Sequence, residues 1–81
     1  MRIDKFLKIS RIIKRRTVAN EACDASHVTV NGRPAKASCD VKAGDIVVIS
    51  FGGRKLTVRV VSTPEHAPKD AAAEMYEVIE G

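Results

Sequence analysis

The hydrophobic period of this chain changes once, at Ser26, and that change fixes the order of its elements. Before it, Ile3, Phe6 and Leu7 recur at i, i+3 and i+4, the spacing of one helical face. After it, Val28 and Val30 alternate with His27 and Thr29, the period of a strand. Asn31-Gly32 follows at once, and both residues tolerate the positive φ of a tight hairpin. Helices must therefore come first and a sheet second.

The first helix is predicted over Arg2 to Ser10. At 100° per residue, burying Ile3, Phe6 and Leu7 turns Arg2, Lys5 and Lys8 to solvent. Ile12 and Ile13 fall in a short connection, and a second helix is predicted over Thr17 to Ala25. Its expected buried side is Val18, Ala19, Ala22 and Cys23, with Thr17 as N-cap unless the helix begins a residue or two sooner. Arg33 to Lys36 should return beside Val28 to Val30, with Pro34 confining it to a sheet edge. Val41 to Asp45 reads as a loop, and Ile46 to Phe51 and Leu56 to Val61 as strands joined through Gly52-Gly53. Pro64 to Lys69 is a breaker-rich connection, Asp70 to Glu74 a helical turn and Met75 to Ile79 a last strand. The expected fold class is α+β: two N-terminal helices packed on a small, mostly antiparallel twisted β-sheet.

Length narrows the function. With 81 residues the chain is expected to form one domain, and it is too short for a multidomain enzyme. A domain of this size buries only about 60–65% of the surface its unfolded form exposes, so a deep cleft would consume its core. Phe6, Phe51 and Tyr76 are the only aromatics, which makes the core aliphatic. No apolar run approaches a bilayer span and no secretory stretch opens the chain, so a cytoplasmic location is expected. Cys23 and Cys39 read as reduced thiols there.

Charge is distributed unevenly. The first sixteen residues carry Arg2, Lys5, Lys8, Arg11, Lys14, Arg15 and Arg16 against Asp4 alone, a net of +6, while the remainder carries seven bases and nine acids, a net of −2. That asymmetry points to a polyanion. Aromatics for base stacking are scarce, so phosphate contact on structured RNA is the natural mode, with arginines able to fork to phosphates or stack on splayed bases. Asp4 is expected to support a neighbouring arginine or the first helical turn, because a carboxylate repels phosphate. Asn31-Gly32 is a turn before it is a contact.

Other chemistries find no support. Cys23, His27, Cys39 and His66 are possible zinc ligands, but their gaps match no compact zinc pattern and no metal is expected. The serines lack a nearby His and carboxylate in any motif, and Gly52-Gly53 lacks the rest of a nucleotide fingerprint. Neither a catalytic residue nor a cofactor is expected.

The runs Arg2-Ile3-Asp4-Lys5-Phe6-Leu7, Ser10-Arg11, Lys14-Arg15-Arg16-Thr17, Val28-Thr29-Val30-Asn31-Gly32 and Lys42-Ala43-Gly44-Asp45 closely resemble the RNA-binding domain named after ribosomal small-subunit protein four, the alpha-L motif. The resemblance covers about Met1 to Phe51 as the core motif, leaving 52–81 as a C-terminal β extension of the same domain. The lack of an appended enzyme domain and the ending Met75 to Ile79 look like a small ribosome-associated quality-control branch, related to the bacterial heat-shock protein that recycles obstructed large subunits. What this implies is a non-catalytic factor, monomeric when free, that binds the large ribosomal subunit through large-subunit rRNA and peptidyl-tRNA. It would assist an RqcH-type tailing factor that adds C-terminal alanines to stalled chains. Position by position, the resemblance makes Arg2, Lys5, Arg11, Arg15 and Arg16 the first RNA-contacting candidates, Lys8 and Lys14 flanking neutralisers, and Asn31, Arg33 and Lys36 a second rim. It departs at Ser26 and His27, where relatives commonly carry Gly and a basic residue. Ser26 must then take a left-handed conformation, and contact at His27 is left open.

Two alternatives stand beside this reading. One is a general structured-RNA module or a detached targeting domain of an RNA-modifying enzyme. The other is a membrane-surface protein anchored by Ile3, Phe6, Leu7 and Ile9, although no membrane partner is expected while those groups are needed to cover the sheet.

Overall fold

In the computed structural model, which describes residues 1–80, α1 (Ile3–Ile9) and α2 (Arg16–Asp24) precede a five-stranded antiparallel sheet. Its strands are β1 (Val28–Val30), β2 (Arg33–Pro34), β3 (Ile46–Phe51), β4 (Arg54–Val60) and β5 (Tyr76–Glu80), in the order β2-β1-β3-β4-β5. A short helix α3 (Lys69–Ala72) and a 3₁₀ turn (Ala73–Met75) lie between β4 and β5. The architecture is α+β, with Pro34 on an edge strand as its missing N–H requires.

Both hairpins follow from their turn residues. Asn31 and Gly32 have φ of 53° and 82° and set Val30 opposite Arg33, while Gly52 and Gly53, at 41° and 92°, set Phe51 opposite Arg54. These registers align Val28 with Ile49, Val30 with Val47 and Val47 with Val58, all buried on one face. A slip of one residue would turn that face to solvent. Ile3, Phe6 and Leu7 of α1 and Ala19 and Cys23 of α2 join the same cluster. The apolar side that a membrane anchor would need is thus consumed by the core.

The opening of α1 rests on the 37–41 segment, of which the sequence reading assigned only Val41, to a loop. The N–H groups of Ile3 and Asp4 donate to the carbonyls of Cys39 (2.8 Å) and Ala37 (3.3 Å), and Val41 N–H donates to Met1 O (2.8 Å). The 37–41 segment therefore takes up helix-end donors that would otherwise lack partners.

Several boundaries differ from expectation. Of the two starts expected for the second helix the earlier one is found: it begins at Arg16 with Arg15 as N-cap, in place of Thr17, and no side chain caps it. Val18 lies on the solvent side of α2, 48% exposed, because Ala19 and Cys23 define the buried stripe. Ile13 takes up core space from the connection, its N–H bonded to Leu7 O at 3.1 Å. β4 ends at Val60, and Val61 N–H donates instead to Met75 O at 2.8 Å.

Ser26 is left-handed, φ 63°, with His27 N–H bonded to Ala22 O at 2.9 Å to close α2. A non-glycine residue there costs about 1–2 kcal/mol. Ser26→Gly should stabilise the fold by about 1 kcal/mol, read as a higher guanidinium midpoint with an unchanged m-value.

Candidate nucleic-acid interface

Burying Phe6 and Leu7 leaves Lys8 exposed and Lys5 half-exposed on the other side of α1. At its end Arg11 is left-handed, φ 64°, its N–H bonded to Lys8 O at 3.1 Å. This bend carries the chain from α1 into the basic turn Lys14-Arg15-Arg16, whose three residues are exposed.

Asp4 holds the two helices' cations together. It is 2% exposed, accepts the Lys5 N–H at 2.8 Å, and receives Arg2 Nε (3.2 Å), Arg16 Nε (3.4 Å) and Asn20 Nδ2 (3.4 Å). Burial is the largest influence on its carboxyl and pushes the pKa up. The hydrogen bonds from Arg16 and Asn20, the Arg16 charge and the Lys5 N–H together outweigh burial and hold it below the ordinary carboxylate value. The Arg2 and Arg16 side chains remain 50% and 47% exposed, so each keeps donor groups toward solvent while its Nε is held from behind.

Lys5, Lys8, Arg11, Lys14 and Arg16 line one open groove of about 920 Å³. Its remaining lining includes Glu65, His66 and Lys69, a wall the sequence reading did not supply. Across it Lys5 Nζ meets Glu65 Oε2 at 2.5 Å. Lys8, Arg11 and Lys14 have no ion pair among the described residues. The hydrogen bond and charge of Lys5 lower the Glu65 pKa.

The remaining predicted contacts lie outside this groove. Arg2 joins it indirectly through Asp4, and Arg15, Arg33 and Lys36 are exposed without lining it. Asn31 is committed to the sheet: its Oδ1 accepts Ile46 N–H (2.9 Å) and its Nδ2 donates to Asp45 (3.2 Å). Asp45 in turn accepts the Lys42 N–H at 3.0 Å, so Lys42 to Asp45 locks the hairpin to β3. Cys23 is buried, and burial, with the nearby carboxylates, pushes its thiol up to about 11, as for an unreactive apolar filler.

Residues 1–47 match the model of the S4 domain. Over 78 residues the sequence is 51% identical to the RQC P-site tRNA stabilizing factor of Halalkalibacterium halodurans, covering 96% of this chain and 89% of that one. The proteins of the same name from Bacillus subtilis and Streptococcus pneumoniae are 48% and 52% identical over 79 residues, 98% of this chain and 92% and 90% of theirs. The chain belongs to this family of S4-domain proteins. Among solved structures it is similar to the trimeric Heat Shock Protein 15 of Vibrio cholerae, with TM-score 0.88 and 25% identity over 96% of this chain and 80% of that one. It is also similar to a hypothetical protein solved in solution, with TM-score 0.84 and 31% identity over 100% and 99% of the two chains. The S4 match ends at 47, so Glu65, His66 and Lys69 bring to the groove residues from beyond the matched segment.

Replacing Asp4 by Ala removes the acceptor that donors from four residues share and should cost about 2–3 kcal/mol in a denaturant titration. Because the folded Asp4 pKa is lowered, its stabilisation is complete above the unfolded value of about 3.9 and is lost as pH falls through the folded value. Asp4→Asn should be less stable than wild type at neutral pH, and the gap should narrow below pH of about 4.

Proposed function

We propose that this chain is a non-catalytic RNA-binding factor of ribosome-associated quality control. It engages large-subunit rRNA and peptidyl-tRNA on obstructed large ribosomal subunits in the cytoplasm, and supports C-terminal alanine tailing by an RqcH-type factor. The observation that carries the reading is the groove along α1 and the basic turn, in which Lys8, Arg11 and Lys14 have no ion pair among the described residues. Ribosomal placement is supported by the relatives named RQC P-site tRNA stabilizing factor.

In this reading residues 1–81 act as one RNA-binding domain and the free protein is a monomer. Lys5, Lys8, Arg11, Lys14 and Arg16 neutralise phosphates along the groove. Arg2 and Arg15 extend the contact past the helix ends, and Arg33 and Lys36 form a separate rim. Asn31 serves that rim by holding the hairpin in shape, since its amide is already bonded. The Arg16 guanidinium, held at Nε, keeps its outer nitrogens for phosphate or a stacked base, which gives shape selectivity without aromatic platforms.

Arg11 separates binding from folding. Its left-handed backbone suits glycine better, so Arg11→Gly should raise stability by about 1 kcal/mol. The same change should weaken co-sedimentation with purified large subunits about three- to tenfold at low salt. Wild-type binding should fall with log salt at a slope of about −4 to −6, as expected for five to seven neutralised phosphates. A flat salt response, or an Arg11→Gly protein that binds like wild type, would contradict the proposal.

A further inference from the structure

The wall of the groove beyond the S4 match is built as a strap. Val61 and Ser62 N–H groups both donate to Met75 O, at 2.8 and 3.2 Å, which brings the two ends of the 62–74 segment together. Met75 and Ala72 are buried and anchor one end. Ala67 packs against the core cluster further along the strap. A compact surface loop closed at its ends and pinned by its own side chains is a common carrier of function. This one sets Glu65 among the groove cations, with its carboxylate on Lys5 Nζ at 2.5 Å and with His66 and Lys69 in the same lining.

An exposed glutamate in a cationic groove opposes polyanion binding, yet the fold holds it there. Its side chain is 77% exposed while that of Lys5 is 30% exposed, so the carboxylate lies over the ammonium from the solvent side. That is the side from which a phosphate oxygen would approach. We propose that the 62–74 strap is a third wall of the RNA site, and that Glu65 occupies on Lys5 the place of an RNA phosphate, to be exchanged for it when RNA binds. The inference rests on the RNA-binding reading above. On exchange Lys5 gains a phosphate partner, Glu65 swings to solvent, and His66 and Lys69 stay to contact the incoming backbone. The strap thereby sets a threshold that weak, isolated anions do not cross, because they must displace a tethered competitor.

The test uses the full chain with bulk tRNA as probe and large ribosomal subunits as a second ligand. Glu65→Gln should bind tRNA about three- to tenfold tighter than wild type at low salt, with the gain shrinking as salt rises. Glu74→Gln, the same charge change on the strap but outside the groove, should change affinity less than about twofold. In a Lys5→Met background the gain from Glu65→Gln should vanish. Equal or weaker binding by Glu65→Gln, or an equal gain in Glu74→Gln, overturns the exchange while leaving RNA binding intact. If wild type binds neither tRNA nor large subunits, the RNA-binding reading fails. The ion pair is then judged alone by carbon-detected NMR titration of the Glu65 carboxyl. Lys5→Met should move that titration up toward the ordinary glutamate range, and an unmoved titration removes Glu65 from Lys5 altogether.

Discussion

A buried carboxylate surrounded by basic groups is the constraint on which the rest of this molecule depends. Asp4 sits in the first turn of α1, where an acid complements the positive helix end, and it accepts from both helices at once. Two short helices of seven and nine residues cannot hold their own relative orientation by propensity. Their apolar faces supply most of the adhesion, through Ile3, Phe6, Leu7, Ala19 and Cys23, but apolar contact is not directional. Hydrogen bonds from Arg2, Arg16 and Asn20 to a single acceptor fix the angle at which the basic faces meet.

The two acids on this face have opposite consequences because their burial differs. Asp4 lies behind the guanidiniums and is out of reach of a ligand, so it lends order without competing for phosphate. Glu65 lies in front of Lys5 with its side chain 77% exposed, and in the proposed exchange it competes directly. Both carboxyls have lowered pKa values, Asp4 against the opposition of burial and Glu65 with scarcely any. A count of charges would treat them alike.

Much of this was legible in the sequence where short-range physics decides. The helical spacing of Ile3, Phe6 and Leu7, the Asn31-Gly32 and Gly52-Gly53 turns and the edge position of Pro34 all depend on residues within a few positions of each other, while the left-handed Ser26 was implied by the family resemblance. The support Asp4 gives to Arg2 is local in the same way, whereas its bonds from Arg16 and Asn20 cross between the helices. What escaped depends on chain segments far apart. Ala37 to Val41 meets the start of α1, and Glu65 meets Lys5, through tertiary closure that no local period records. Val18 was misplaced because a nine-residue helix with two strongly buried positions leaves the adjacent apolar residue free to face solvent. Arg11 gave no warning of its positive φ, since a basic residue after a helix usually signals a charge at the C-terminal end and not the turn itself.

If the buried acid organises RNA contact, one measurement separates that role from simple charge: the affinity of Asp4→Asn for large ribosomal subunits, taken at a temperature and pH where circular dichroism shows the variant folded. Removing a negative charge from beneath a cationic face should tighten polyanion binding if only net charge matters. Loss of the fixed orientation of Arg2 and Arg16 should do the reverse and weaken binding about threefold or more. A folded Asp4→Asn protein that binds as tightly as wild type, or more tightly, would contradict that role.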